Sequence, residues 1–163
     1  MREAETKIVA TTDLRELVAK AKAEGKRVVF ANGCFDTLHV GHVRYLQGAK
    51  EKGDLLVVGV NADESVRCLK GPGRPILDEQ ARAQLVAAIR CVDYVVLFPE
   101  ANVEHLLEEL RPDVHAKGTD YTPDSVPERA VAERHGIAVV IVGDPKNHST
   151  RELLASIRKD AHD

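Results

Sequence analysis

Apolar residues in this chain fall into short β-branched runs, separated by longer stretches in which they recur every three or four positions. Leu14, Leu17, Val18 and Ala21 repeat at helical spacing behind Thr12 or Asp13 as a cap, and Gly25 ends that helix. Residues 28–31 predict a buried strand, 41–52 a helix with Val43, Leu46 and Ala49 inward, and 55–60 a second apolar strand. Gly53 closes the helix between them. A polar loop with glycine and proline at 70–75 follows, then a helix at 78–89 and a third strand at 94–98. The alternation continues with a helix at 102–110, a strand at 114–117, a helix at 126–135, a strand at 138–142 and a closing helix at 149–159.

Strands taking turns with helices imply βαβ units, and right-handed crossovers then lay the strands parallel with helices on both faces. The expected class is α/β: a three-layer αβα, Rossmann-like, doubly wound parallel sheet of about five strands. No internal repeat or linker divides the chain, so residues 1–163 read as a single domain, with 1–12 as a candidate flexible arm.

Composition narrows the class without naming a chemistry. Hydrophobic residues at 44% and charged residues at 30% suit a globular chain, and no run approaches the roughly 18 apolar residues of a membrane span. The first seven residues carry mixed charge and no apolar core, so a cytoplasmic protein is expected. Cys34, Cys68 and Cys91 are odd in number and lack CxxC spacing, which argues for reduced thiols and against a zinc knuckle. A net charge of -3 gives no general reason for a nucleic-acid partner.

The candidate chemistry lies behind the first strand, in ANGCFDTLHVGH at residues 31–42. In open α/β sheets ligands sit beyond the carboxyl ends of the strands. The loop from Asn32 meets the next helix near Gly41 and His42, where free backbone N–H groups and the helix dipole favour an anion. Gly33 and Gly41 permit close backbone approach, and His39 and His42 offer ring N–H donors for phosphate oxygens. As zinc ligands the two histidines lack supporting residues at metal spacing. His105, His115, His135 and His162 read as surface or capping residues. Neither GxGxxG after the first strand nor GxxxxGK[ST] anywhere accounts for the glycines.

Asn32-Gly33-Cys34-Phe35-Asp36 followed by His39-Val40-Gly41-His42 resembles the signature of the HxGH nucleotidyltransferase superfamily, in its cytidylyltransferase-like branch. The likeness extends through GVNAD at 59–63, LKGPGRP at 69–75, Arg82, CVDYVV at 91–96, RPDV at 111–114, KGTDYT at 117–122 and Ser149-Thr150. Together these blocks are similar to the family of D-glycero-β-D-manno-heptose 1-phosphate adenylyltransferases, which occur alone or fused to a sugar kinase. The resemblance implies transfer of AMP from ATP to the sugar phosphate, giving ADP-heptose for lipopolysaccharide or another surface glycan, and pyrophosphate. A CTP-dependent cytidylyltransferase acting on a small alcohol phosphate or phosphonate, and a silent nucleotide-binding domain, are the alternatives.

By the same resemblance His39, His42 and Lys70 are the catalytic candidates. Asn32, Gly33, Cys34, Phe35, Gly41, Arg82, Lys117, Gly118, Asp120, Tyr121, Ser149 and Thr150 join the histidines in binding nucleotide, and Asp36, Lys70 and Arg74 bind the sugar phosphate. Cys34 is expected as a wall of the cleft, and Lys70 and Arg74 on a lid loop. Arg151 stands where the family's serine-threonine-threonine motif has its last threonine, and His148 where a small or apolar residue is usual. The resemblance implies magnesium arriving with ATP, no metal held by the protein alone, a homodimer, and a separate sugar kinase as functional partner.

Overall fold

Every predicted strand forms. β1 (Val28–Gly33), β2 (Leu55–Asn61), β3 (Tyr94–Phe98), β4 (Val114–Lys117) and β5 (Ala138–Ile141) make one parallel sheet in the order β3-β2-β1-β4-β5. The computed structural model describes residues 3–145 and 149–160. Both faces of the sheet are covered, so neighbouring apolar residues of one strand serve two cores. Val29 and Ala31 pack with Leu46, Val58 and Val86 on one side, while Val28 and Phe30 pack with Leu14, Leu107 and Val131 on the other. This is why the strands read as continuous apolar runs and not as alternation. Gly59 is fixed by the same packing, because a Cβ there would stand 2.9 Å from the Phe30 ring and 3.2 Å from Phe98.

Seven α-helices lie among the described residues: α1 (Thr11–Ala23), α2 (Val40–Lys50), α3 (Asp63–Lys70), α4 (Glu79–Ala88), α5 (Glu104–Leu110), α6 (Arg129–Arg134) and α7 (Thr150–Asp160). α2 and α4 cover one face, and α1, α5 and α6 the other. The chain runs from β1 outward through β2 to β3, then crosses back to place β4 on the other side of β1. The switch point of this αβα sheet is therefore the crevice between β1 and β4.

Three expectations are corrected. Residues 3–12 are not a loose arm: Ala4–Lys7 is a 3-10 turn on α4, Ile8 bridges Val95, and the Val9 N–H donates to the Val95 carbonyl at 3.0 Å. Ile8 and Val9 thereby cover the backbone of β3 at the sheet edge. α3 had no counterpart in the sequence reading, because Asp63-Glu64-Ser65-Val66-Arg67-Cys68 is largely polar and only Ser65 and Val66 of the helix are buried. Gly71, at φ +89°, ends it, which makes Lys70 the last helical residue and not a loop residue. α6 begins at Arg129 and not near 126, since Val126 precedes Pro127 and that position disfavours helix.

Candidate active site

The loop leaving β1 is organised by its two histidines. His39 is the N-cap of α2: its Nδ1 accepts the Gly41 N–H at 3.2 Å, and the His39 N–H donates in return to His42 Nδ1 at 3.3 Å. The rings stack at 3.9 Å, and His42 also meets Phe35 at 5.2 Å between centroids. A neutral imidazole whose Nδ1 accepts must carry its proton on Nε2. His42 thus holds an Nε2–H with no protein partner among the described residues. Burial, then the neighbouring His39 and Lys70 charges, depress its pKa from 6.5 to about 4, so the ring is a neutral donor at physiological pH.

Phe35 was expected to line the nucleotide cleft. It is 2% exposed and acts from below, as the apolar support of His42. Gly33 backs onto that ring, and Cys34 is half-buried with Sγ 3.8 Å from Asn61 Oδ1. Burial pushes the Cys34 thiol up from its ordinary value, so it stays protonated, as a wall residue should. The positive field of Lys70 reaches both Cys34 and His42, and those of Arg74 and Arg82 reach Cys34. The end of α3 therefore brings the Lys70 charge toward the histidine cap, and the following loop sets Arg74 on Asp36 near Cys34.

Asp36 and Arg82 have interior duties that the sequence did not reveal. Asp36 is 2% exposed; it pairs with the Arg74 guanidinium and accepts the Ile76 N–H at 2.6 Å. It latches the 71–77 loop to the mouth of β1 instead of presenting a carboxylate to substrate. Arg82, expected among the phosphate ligands, is fully buried. Its guanidinium donates to the carbonyls of Leu77, Cys34 and Asn61 and pairs with Asp63 at 2.7 Å. It ties the exits of β1 and β2 to the loop before α4.

On the β4 side, Lys117 is 6% exposed, with Nζ 3.5 Å from Asn32 Oδ1, 3.7 Å from Glu128 Oε2 and 4.5 Å over the Tyr121 ring. Burial lowers its pKa, opposed by Glu128. The Tyr45 hydroxyl donates to the Ala116 carbonyl at 2.8 Å and bonds the backbone of Asn32, stapling β1 to β4. Gly118 turns the chain, accepting the Tyr121 N–H at 3.1 Å, and Asp120 is exposed at the tip. Ser149 caps α7: its Oγ accepts the Glu152 N–H at 3.2 Å and Glu152 accepts the Ser149 N–H at 2.9 Å. With Leu38, His39, Val40 and Leu153 it lines an open groove of about 490 Å³. Thr150 opens α7, Arg151 is exposed on it, and His148 and His162 lie outside the described residues.

Tyr45 and Glu128 were not singled out, and the reading of His115 as a surface or capping residue is corrected. His115 sits two residues from Lys117 on β4 and is fully buried, so its signal was the strand's period of two, which places it beside Asn32.

The family model described as Cytidylyltransferase-like matches residues 30–156. This chain belongs to that family. Among curated proteins it is 48% identical to Bifunctional protein HldE of Geobacter sulfurreducens over 96% of the chain, and 46% identical to the HldE of Syntrophotalea carbinolica over 95%. Each match takes in 32% of the relative, so the chain spans about a third of their length. Among solved structures, the lipopolysaccharide core biosynthesis protein of Thermoplasma volcanium aligns at TM-score 0.64 and 30% identity, over 75% of this chain and all of that one. Pantothenate synthetase of Thermus thermophilus aligns at TM-score 0.65 and 17% identity, over 95% of this chain and 70% of that one, a likeness of fold alone. No helix among the described residues is long and apolar enough to cross a membrane.

Proposed function

We propose that this cytidylyltransferase-like chain transfers AMP from ATP to D-glycero-β-D-manno-heptose 1-phosphate, releasing ADP-heptose and pyrophosphate. The observation that carries the reading is the histidine cap of α2, which holds a neutral ring donor of His42 at the positive end of a helix dipole. A phosphate oxygen of the sugar phosphate attacks the α-phosphorus in line, and the bond to the pyrophosphate oxygen breaks. No protein nucleophile is needed, only alignment and charge. The His42 Nε2–H, the positive end of the α2 dipole and the Lys70 ammonium face the charge that grows on the leaving pyrophosphate. Arg74, latched by Asp36, stands ready for the sugar phosphate.

The 46–48% identity to the HldE proteins across nearly the whole chain supports the adenylyl and heptose assignments. The Thermoplasma neighbour, named for lipopolysaccharide core biosynthesis, points to the same end product. Among the described residues no three His, Cys, Asp or Glu side chains gather as a metal cage, and the Asp36 carboxylate is already engaged. These residues do not fit a protein-held divalent ion; magnesium enters with ATP as part of the substrate. The enzyme works in the cytoplasm as a homodimer, with a sugar kinase supplying its heptose phosphate.

Pyrophosphate release measured over ATP, CTP, GTP and UTP, crossed with heptose 1-phosphate, glycerol 3-phosphate and phosphoethanolamine, tests this. ATP with heptose 1-phosphate is the expected productive pair. Turnover only with CTP and a small alcohol phosphate would overturn the assignment.

A further inference from the structure

The β1/β4 crevice contains a residue, Asn32, fixed on every polar atom but one pair of donors. The Asn32 N–H and carbonyl both meet the Tyr45 hydroxyl, at 3.3 and 3.4 Å. Its Oδ1 lies 3.2 Å from His115 Nε2 and 3.5 Å from Lys117 Nζ. An ammonium has only donors, so the atom facing Lys117 is the carboxamide oxygen, and His115 must then donate from Nε2. His115 Nδ1 is left bare and buried without a partner among the described residues. That is affordable only for a neutral ring, and burial followed by the Lys117 charge pushes the His115 pKa down to about 3. The Nδ2 amide group of Asn32 has no partner among the described residues, and the residue is half-buried at the end of β1, on the lip of the crevice.

We propose that His115 is a positioning residue: from β4 it locks the Asn32 carboxamide so that both Nδ2 hydrogens face the crevice and donate to an acceptor oxygen of the bound nucleoside triphosphate. The inference rests on the nucleotidyltransferase reading of this site but on no particular base or sugar. Without His115 the carboxamide turns about its χ2 torsion, and its donors are aimed only part of the time. His115 touches no ligand itself. A merely structural role would lower stability alike whether or not Asn32 keeps its side chain.

The test is calorimetric titration of the full chain with whichever of magnesium ATP, CTP, GTP or UTP the wild type binds most tightly. The proteins are wild type, Asn32→Ala, His115→Leu, His115→Gln and the Asn32→Ala/His115→Leu double variant, each also followed by thermal unfolding. Loss of one aimed neutral hydrogen bond weakens binding roughly tenfold, so Asn32→Ala and His115→Leu are each expected at that level. The double variant should bind no worse than Asn32→Ala, because His115 acts through Asn32. His115→Gln, whose side-chain amide still donates toward Oδ1, should recover most of the affinity. Folded His115→Leu within twofold of wild type, or losses that multiply in the double variant, would overturn the proposal. If His115→Leu does not fold, the other two single variants decide: Asn32→Ala binding normally, or His115→Gln as weak as Asn32→Ala, sinks it. A wild type that binds no nucleoside triphosphate sinks this inference and the proposed function together. One that binds a nucleotide but leaves heptose 1-phosphate untouched sinks only the function.

Discussion

Arg82 gives the sharpest test of how the mouth of the sheet is built. Arg82→Leu removes a guanidinium that is 0% exposed and donates to the Leu77 carbonyl at 2.9 Å and to those of Cys34 and Asn61 at 2.7 Å each, while pairing with Asp63. Each buried acceptor left without a donor costs about 1–3 kcal/mol. The Asp63 carboxylate is 31% exposed and regains water, and the loops around Leu77 relax, so the total settles near the ~3–5 kcal/mol typical of breaking a buried charged pair. In a chain of 163 residues, about 2–4 °C of melting temperature goes with each kcal/mol. Circular dichroism melts should therefore show Arg82→Leu roughly 6–20 °C below wild type. Arg82→Lys should fall between the two, because one ammonium cannot span three carbonyls and a carboxylate. If Arg82→Leu melted within about 2 °C of wild type yet lost nucleotide or sugar-phosphate affinity, Arg82 would be a phosphate ligand and its interior role would be wrong.

Three further outcomes are expected. His42→Ala should lower turnover by roughly 10²-fold or more in pyrophosphate release, as loss of a preorganised donor does, with a circular dichroism spectrum like wild type; near-normal turnover removes His42 from the chemistry. Folded His42 and His115 titrate near 4 and 3, below the unfolded value of 6.5. The unfolded chain therefore takes up these protons first, and the stability held by the neutral rings is complete above pH 6.5 and drains as pH falls toward 4. Each ring adds about 1.4 kcal/mol per pH unit to the slope, so urea unfolding between pH 6 and 5 should show His115→Gln with a slope shallower by about that amount; an unchanged slope refutes the assignment. Asp36→Asn keeps an acceptor for the Ile76 N–H but loses the charge that latches Arg74, so limited trypsin digestion after Lys70 should quicken and KM for the sugar phosphate should rise about tenfold with less change in kcat. Unaltered digestion and KM would mean that the loop is held by something else.

The sheet was legible in the order of residues alone. Runs such as Val28-Val29-Phe30-Ala31 are apolar on both sides of the chain, and in a chain of alternating strands and helices such a run has nowhere to lie but between two helical layers. The strand-to-helix junction that carries the histidines was also legible in residues 33–42; that the two imidazoles themselves close the helix end, with the Gly41 N–H on His39 Nδ1, was not. Tertiary structure decided which charges face the ligand. Asp36, Arg82 and Lys117 are as polar in sequence as Lys70, yet the first two are spent holding loops, and Lys117 lies under the floor among Asn32, Glu128 and Tyr121. A charged side chain's role depends on whether partners from distant segments reach it before solvent or substrate does. Arg82 meets Cys34 and Asn61 only because the sheet places β1 beside β2, and His115 meets Asn32 only because the chain crosses back to set β4 beside β1.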